Sequence, residues 1–328
     1  MPTGSGSLTL SVVTCTYSES RKPHLVAMID ALRLQTRPPD EVIVVVDHNP
    51  GLLTELRSTL GGVTVTPNHY ERGLSGGRNT GAGLATGDVV AYIDDDAMPA
   101  DDWLQRLAAG YADPRVVGVG GRVDPMWEGD APGWFPMEFG WVVGCGYSGL
   151  PEEPAEVRNF IGCNMSFRRQ ALAGAGGFRI DLGRVGLSPV GCEETELCIR
   201  LIRERPGTRL LYDPAARVQH LVPRARMSWS YFRARCYSEG RSKARVTQIV
   251  GASSALASER SYVVRTLTKG AAHSAAQLAR GDWWGPARTL AMAAGLATTA
   301  FGYGIGRWQL ATGRERLALS SSLPVGQS

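Results

Sequence analysis

The sequence has few of the features by which several common protein classes are recognised. Its six cysteines include no Cys-x-x-Cys pair, and this spacing fits neither a zinc site nor a secreted disulfide framework. We therefore expect reduced and mostly buried thiols. Residues 1–7 lack the basic start and apolar run of a signal peptide, which predicts a short flexible tail and a cytoplasmic protein.

A strong net charge is also absent. Of the 328 residues, 43% are hydrophobic and 20% are charged, which is ordinary for a globular protein. The net charge of +4 conceals an asymmetry, because residues 221–328 contain 15 Lys or Arg against 4 Asp or Glu. This basic C-terminal third predicts an anionic partner, such as a membrane surface, a phosphate-bearing lipid or nucleic acid.

The first two thirds of the chain alternate between strand and helix patterns. Apolar, β-branched runs predict strands, and stretches with a 3.6-residue period predict helices between them. The predicted strands are 8–15, 41–46, 62–66, 88–93, 116–120, 159–167 and 209–213. This order predicts an α/β fold with a Rossmann-like, mostly parallel sheet flanked by helices.

Three adjacent carboxylates, Asp94, Asp95 and Asp96, directly follow a predicted strand. Adjacent like charges raise one another's pKa unless a cation compensates, and a divalent metal with oxygen ligands is the usual one. The carboxyl end of a strand is also where open α/β sheets bind ligands. The alternative is a solvated acidic turn before the next helix.

Two loop regions carry further signals. The glycine-rich run 72–81 lets the backbone approach a ligand and leads into a helix start that can bind an anion, but it matches neither a dinucleotide-binding fingerprint nor a P-loop. Residues 123–157 have no period and are rich in Trp, Gly and Pro. Their aromatic rings suit sugar rings or an acyl chain, and core packing between two subregions is the alternative.

Two polar features are ambiguous when taken alone. Glu193, Glu194 and Glu196 begin a helix, where the helix dipole favours carboxylates regardless of function. The helix start lowers the pKa of Glu194, whereas burial beside other carboxylates raises it. His220 follows the last predicted strand, and an isolated histidine is more often structural than catalytic.

Taken together, these stretches resemble the family 2 glycosyltransferases with the GT-A fold. The resemblance covers residues 8–222 and rests on an ordered set of motifs. The set comprises Val-Val-Thr-Cys-Thr-Tyr, Asp47, Gly-Leu-Ser-Gly-Gly-Arg-Asn-Thr-Gly, Asp94-Asp95-Asp96 as the family's Asp-x-Asp, Asn-Met-Ser-Phe-Arg-Arg, and Glu193-Glu194. The family's acidic pair is more often Glu-Asp, so Glu194 is one methylene longer.

The resemblance implies a nucleoside diphosphate sugar as donor, with a UDP-sugar favoured, bound within residues 8–122. It implies donor-binding roles for Thr16, Tyr17, Glu19, Asp47, Arg78, Asp94 and Asp95. It also implies that Asp94, Asp96 and His220 hold Mg²⁺ or Mn²⁺, which neutralises the departing diphosphate.

Residues 123–222 are implied to bind the acceptor and to perform catalysis. The family inverts the anomeric carbon in a single displacement, which needs a base for the acceptor proton, and Glu194 is the candidate. We assign the acceptor side to Trp127, Trp134, Asn164 and Glu193.

Residues 223–315 predict a basic, helical, membrane-associating extension, followed by a flexible tail at 316–328. Within the extension, residues 289–306 are uncharged and barely long enough to span a bilayer. A surface or membrane-dipping helix pair, a buried helix and a true span all fit this stretch. We expect peripheral association with the anionic inner face of the cell membrane, and a soluble fragment when the chain ends near Val222.

The leading interpretation is a membrane-associated, metal-dependent glycosyltransferase of envelope or polysaccharide glycan synthesis, with a lipid-linked or polyprenyl phosphate acceptor. The alternatives are transfer to a soluble saccharide or small molecule, a sugar-phosphate nucleotidyltransferase, and a non-catalytic membrane adaptor. The chain lacks the Gly-rich, Lys-containing start expected of a nucleotidyltransferase. Nucleic-acid binding would explain the charge but not the ordered motifs, so we expect no nucleic-acid partner.

Overall fold

The computed structural model describes residues 8–183, 191–251 and 262–313, so the predicted tails at 1–7 and 316–328 lie outside the described residues. The strands are β1 (Leu10–Thr16), β2 (Glu41–Val46), β3 (Thr64–Pro67), β4 (Val89–Ile93), β5 (Ala97–Pro99), β6 (Val116–Trp127), β7 (Ala155–Glu156), β8 (Asn164–Arg168) and β9 (Arg209–Val222). The helices are α1 (Lys22–Arg33), α2 (Pro50–Thr59), α3 (Leu74–Leu84), α4 (Trp103–Ala109), α5 (Arg169–Gly174), α6 (Glu193–Glu204), α7 (Trp229–Val250), α8 (Thr268–Ala279) and α9 (Gly285–Ala311).

The strands form one sheet in the order β3-β2-β1-β4-β8-β6-β9-β5, with β7 paired to β9. β1 is parallel to β2 and β4, and β2 is parallel to β3, so the first half is Rossmann-like as predicted. β8 is antiparallel to β4 and β6, which makes the second half mixed. Parallel pairs need a crossover, which the chain supplies as a helix between successive strands from β1 to β4 but not between β6 and β8. The predicted α/β class is confirmed.

Two apolar layers cover the two faces of this sheet. On one face, α1, α2 and α4 contribute Leu25, Leu52 and Trp103 to a cluster with the strands. On the other face, α5 and α6 contribute Leu172 and Leu197. The strands β1, β2 and β4 are therefore buried on both sides, which explains their continuous apolar sequence. Their carboxyl ends, where the chain leaves the sheet, carry the polar residues of the site.

The last strands differ from their predicted bounds. β6 continues to Trp127 and β9 continues to Val222, so His220 lies within a strand. The register of β9 against β6 jumps between Asp213 and Arg217, which leaves residues 214–216 bulged out of the pairing. This bulge hides the strand pattern in the sequence. Residues 159–163 precede β8 as a loop, although a strand was predicted there.

The C-terminal helices pack on the preceding domain and on each other. A buried apolar cluster joins Phe135 and Phe139 to Phe232 of α7, to Leu267 just before α8, and to Met292 of α9. Within the described residues, this shared core shows no break at the predicted boundary near Val222, which argues against a soluble fragment ending there. No helix in the described part of the chain is long and apolar enough to cross a membrane.

The cysteines agree with the sequence prediction. All six are free thiols, and all except Cys15 are buried.

Candidate active site

The carboxyl end of β4 and the pairing of β5 with β9 assemble an acidic centre. After Ile93 the chain leaves the sheet through the three aspartates and returns as β5, whose Ala97 lies opposite His220 in the antiparallel pair. The N–H of Leu221 also donates to the carbonyl oxygen of Asp96 at 2.9 Å. This register places an imidazole beside carboxylates that are distant in the sequence.

Asp94, Asp96 and His220 offer ligand atoms that lie within 4.8 Å of one another. His220 Nε2 is 3.3 Å from Asp96 Oδ1. That buried oxygen has no described hydrogen-bond donor within full hydrogen-bond geometry, so it can serve as a ligand to a bound cation. Carboxylates suit Mg²⁺ and Mn²⁺, and an imidazole adds a ligand that transition metals accept. The donor set therefore fits the divalent metal that the resemblance implied.

Two arginines that were not selected from the sequence lie beside the same carboxylates. Arg21 Nη1 is 2.5 Å from Asp95 Oδ1 and 3.1 Å from Asp96 Oδ2. Arg226 Nη2 is 4.0 Å from Asp96 Oδ2. Burial alone would raise the pKa of Asp96, but His220 and then the two arginines outweigh burial and hold that pKa below its ordinary value.

Asp95 has a different position from its two neighbours. It is 1% exposed and does not line the catalytic cavity described below. Burial raises the pKa of Asp95 to about 6, although the paired Arg21 guanidinium opposes this effect. In the structure the Asp95 carboxylate is paired with Arg21, and its predicted donor contact remains a prediction.

Arg78 connects the two halves of the site through a buried guanidinium. Its Nη1 donates to Glu193 Oε1 at 2.8 Å, and its Nη2 donates to the carbonyl oxygen of Gly162 at 3.0 Å. Nη2 also lies 3.5 Å from Asp94 Oδ1, and the guanidinium lies over the Phe178 ring. One cation thus fixes Asp94 and Glu193 relative to each other. Its predicted approach to the donor remains a prediction.

Asp47 orders the loop before α3. Its Oδ1 accepts a hydrogen bond from Asn68 Nδ2 at 2.7 Å, and its Oδ2 accepts one from Gly73 N at 3.1 Å. Gly73 has a φ of +148°, which a residue with a side chain rarely adopts. The Asp47 carboxylate therefore holds the glycine-rich turn from which α3 starts, at the end of β2 where parallel sheets bind ligands.

The other predicted donor residues lie at the end of β1. Thr16 is buried, whereas Tyr17 and Glu19 are exposed. Arg21 lies 5.3 Å from the centre of the Tyr17 ring, which ties this edge to the acidic centre. Their roles in donor binding remain predictions.

The start of α6 presents three glutamates with three different surroundings. Glu193 pairs with Arg78, and Glu196 is bound by Arg200 through contacts of 2.9 and 2.8 Å. Glu194 forms no ion pair with the described residues. Burial and then the Glu193 carboxylate raise the pKa of Glu194 to about 8, although a backbone hydrogen bond and Arg78 oppose them.

One cavity of about 390 Å³ joins these groups. Its lining includes Arg78, Asp94, Glu193, Glu194 and His220. The C-terminal helices supply further lining residues, namely Arg235, Glu239, Lys243 and Val246 of α7 and Leu296, Thr299, Ala300 and Tyr303 of α9. The predicted extension is thus part of the wall of the candidate active site.

Three of the four predicted acceptor residues are not on this wall. Asn164 is fully buried: its Oδ1 accepts from Trp103 Nε1 at 2.8 Å, and its Nδ2 donates to the carbonyl oxygens of Arg122 and Ala216. Asn164 therefore joins neighbouring strands, and its predicted role on the acceptor side remains a prediction. Trp127 and Trp134 pack on Phe135, as the core alternative stated.

Glu193 is the predicted acceptor residue that does line the cavity, and its pairing with Arg78 gives it a positioning contact. The site residues that sequence reasoning missed are Arg21, Arg226 and the lining residues of α7 and α9. For Arg226 and the residues of α7 and α9, the sequence signal was the basic, aromatic composition after Pro223, which indicated an anionic partner but not a place in the fold. No signal in the sequence singled out Arg21.

Comparison with known proteins agrees with this geometry. The sequence profile described as Glycosyl transferase family 2 matches residues 11–174. The glucosyl-dolichyl phosphate glucuronosyltransferase of Haloferax volcanii is 39% identical over 238 residues, which is 71% of this chain and 76% of that protein. The chain belongs to glycosyl transferase family 2. The predicted enzyme class is therefore confirmed, and the nucleotidyltransferase and adaptor alternatives are set aside.

Solved structures show the same fold for this family 2 glycosyltransferase. The mannosyltransferase PcManGT from Pyrobaculum calidifontis, in complex with GDP-Man and Mn²⁺, has a TM-score of 0.58 and 20% identity, covering 91% of this chain and 88% of that one. GalNAc-T7 with UDP, GalNAc and Mn²⁺ has a TM-score of 0.50 and 19% identity, covering 72% and 48%. At such identities the likeness concerns the fold, and it confirms the GT-A prediction.

Proposed function

We propose that this protein is a metal-dependent, inverting glycosyltransferase that moves a sugar from a UDP-sugar to a hydroxyl of a lipid-phosphate-linked saccharide. The observation that carries the proposal is the single cavity lined by Asp94 and His220, which share the metal-ligand cluster, and by the Glu194 carboxylate. The name of the Haloferax relative, a glucosyl-dolichyl phosphate glucuronosyltransferase, supports a lipid-linked acceptor.

Asp94, Asp96 and His220 would hold the metal, and the imidazole favours Mn²⁺ over Mg²⁺. When bound, such an ion neutralises the negative charge that develops on the departing diphosphate. Arg226 adds a cation close to Asp96 and also lines the cavity. The metal ion and Arg226 would both stabilise the negative charge on the departing diphosphate more than that on the intact donor, and this favours its departure.

Transfer follows a single displacement. The acceptor hydroxyl oxygen forms a bond to the anomeric carbon while the bond from that carbon to the diphosphate oxygen breaks. The Glu194 carboxylate accepts the hydroxyl proton, and the nucleoside diphosphate leaves with the electron pair. Because the oxygen attacks the face opposite the leaving group, the configuration inverts. A pKa of about 8 makes Glu194 a stronger base than an ordinary carboxylate.

The location follows from the acceptor. A lipid-linked saccharide is anchored in a bilayer, and residues 221–328 carry 15 Lys or Arg against 4 Asp or Glu. We therefore place the protein at the inner face of the cell membrane, as a peripheral enzyme of envelope or polysaccharide glycan synthesis.

The test is a donor and acceptor screen with the purified full chain and Mn²⁺. A panel of UDP- and GDP-sugars is assayed for nucleoside diphosphate release, with a short-chain polyprenyl phosphate glucose or with free glucose as acceptor. We expect release that depends on a UDP-sugar and on the lipid-phosphate acceptor. Nucleoside diphosphate release with free glucose, and none with the polyprenyl phosphate glucose, would identify the soluble-acceptor alternative as correct.

A further inference from the structure

The outward side of α9 carries small and apolar residues at regular spacing. The exposed residues Leu290, Ala293, Ala297, Phe301 and Trp308 are spaced by three, four, four and seven positions, so they lie along one side of the helix. Leu290 is 70% exposed and Phe301 is 64% exposed. A helix of a globular protein usually turns such a stripe toward the core. Here the fold turns it outward.

The outward orientation has a cause in the packing of the opposite side of α9. Gly295 approaches Phe139 and Phe232, and Gly302 approaches the backbone of Tyr237 on α7. Leu296, Thr299, Ala300 and Tyr303 line the catalytic cavity. The inner side of α9 is therefore committed to α7 and to the cavity.

The surroundings of the stripe are aromatic and positively charged. Trp283, just before α9, is 82% exposed, and Val264, just before α8, is 67% exposed. Residues 262–313 contain five Lys or Arg and one acidic residue, Asp282, which pairs with Arg288. The four cations outside that pair are all exposed, and they are Arg265, Lys269, Arg280 and Arg307.

We propose that the α9 stripe, defined as Leu290, Ala293, Ala297, Phe301 and Trp308, docks on an anionic lipid bilayer and lies in its interface. The apolar side chains enter the headgroup boundary, while the flanking cations attract anionic headgroups. This charge complementarity selects an anionic membrane over a neutral partner. The inference rests on the proposed function, because a lipid-linked acceptor lies in the bilayer. Docking would place the α9 wall of the cavity beside the lipids that carry this acceptor.

Vesicle co-sedimentation of the full chain tests the docking. Vesicles of phosphatidylcholine alone are compared with vesicles that also contain phosphatidylglycerol, each at low and high salt. We expect binding to the anionic vesicles that high salt weakens but does not abolish, since salt screens charges and not apolar burial. The double variant Leu290→Ser with Phe301→Ser should bind roughly tenfold more weakly or worse.

The matched control is Leu34→Ser, because Leu34 is 81% exposed and lies outside α8 and α9. It should bind vesicles like the wild type. Circular dichroism and thermal unfolding show whether each variant is folded; if the double variant is not, Leu290→Ser alone takes its place.

Three outcomes overturn the inference. One is a wild type that ignores anionic vesicles at low salt. Another is a folded stripe variant that binds as well as the wild type. The third is a wild-type dimer that the stripe variant converts to a monomer without any vesicle binding, which would identify a second copy as the occupant.

Donor turnover separates this test from the proposed function: a wild type with no sugar transfer counts against that function, whereas a transferring enzyme that ignores vesicles counts against docking alone.

Discussion

At the scale of single residues, the role of each carboxylate in the site follows from whether a cation is paired with it. Arg78 uses its guanidinium on Glu193, on Gly162 and on Asp94, so it leaves Glu194 as the carboxylate of the cavity without a described ion pair. Burial and then the Glu193 carboxylate therefore outweigh the opposing attraction of Arg78 and raise the pKa of Glu194. Two adjacent residues thus have different roles: Glu193 is a positioning carboxylate, and Glu194 is the more basic one.

Replacing Glu194 by Gln keeps the size and polarity of the side chain but removes the proton acceptor. We expect sugar transfer to fall roughly 100-fold or more, with donor affinity little changed, as measured by steady-state kinetics and donor titration. Glu204→Gln, an exposed carboxylate on the same helix, is the control and should transfer normally. Normal transfer by Glu194→Gln and loss in Glu239→Gln would assign the base to Glu239.

The pH dependence of transfer follows from the raised pKa of Glu194. Only the ionised carboxylate accepts the proton, so kcat/KM should rise with pH through about 8. Burial is the main cause of this shift, followed by Glu193, while Arg78 opposes it and Glu239 adds to it. Glu239→Gln removes one negative charge and should move the rising limb to lower pH. A wild-type profile with no rising limb between roughly pH 6 and pH 9 would contradict the assignment.

The metal cluster can be tested without measuring activity. Asp96→Asn or His220→Ala removes one of three ligands, and Mn²⁺ affinity should fall by at least about tenfold, as followed by electron paramagnetic resonance or calorimetry. Asp101→Asn changes an exposed aspartate shortly after the cluster and serves as control. Unchanged Mn²⁺ affinity in both ligand variants, with the fold intact, would show that the metal binds elsewhere.

At the scale of elements, the close approach of α7 and α9 closes the cavity. A Cβ atom added at Gly302 would lie 2.2 Å from the carbonyl oxygen of Tyr237, whereas one added at Gly304 meets nothing within 4 Å. Two glycines of one helix thus have opposite environments. The first permits the helix pair to pack, and the second only lowers helix propensity.

This contrast gives a matched pair of variants. Gly302→Ala should lower the free energy of unfolding by about 1–3 kcal/mol, because the new methyl group pushes α9 away from α7. Gly304→Ala should leave stability unchanged or raise it by up to about 1 kcal/mol. Chemical denaturation measures both. Equal effects of the two substitutions would mean that the α7–α9 contact is not as close as the structure shows.

At the scale of the whole molecule, the C-terminal helices complete the transferase domain. Phe135, Phe139 and Val222 share one apolar cluster with Phe232 and Met292, so the two parts of the chain bury each other. Removing the helices would expose this cluster to water, and the exposure would lower the free energy of unfolding by about 25 cal/mol for each Å² of apolar surface. The basic third is thus a structural part of the enzyme as well as a candidate membrane contact.

Truncation tests this dependence. We expect a fragment ending at Val222 to aggregate or to unfold at a lower temperature than the full chain, as judged by size-exclusion chromatography and thermal unfolding. A fragment ending at Gly313 keeps every contact that the structure describes and should behave like the full chain. A monomeric Val222 fragment with the stability of the full chain would show that the shared cluster contributes little.

The sequence by itself determined the features that depend on neighbours along the chain. The apolar runs of β1, β2 and β4 specify buried parallel strands, and polar residues at their ends specify where a ligand binds. Asp94 and Asp96 follow β4 directly, and Glu194 begins α6, so local pattern and resemblance were enough to select them.

Only the tertiary structure decided which distant residues meet. The β5–β9 register brings His220 to Asp96, and the packing of α7 and α9 brings Glu239 into the cavity of Glu194. Asn164 matched a family motif, yet in the fold its side chain forms three hydrogen bonds, to Trp103 of α4 and to the backbone of Arg122 and Ala216. The pKa of Glu194 likewise depends on desolvation by the whole fold. The physical reason is that register, burial and helix packing join residues far apart in sequence, and no local pattern records those contacts.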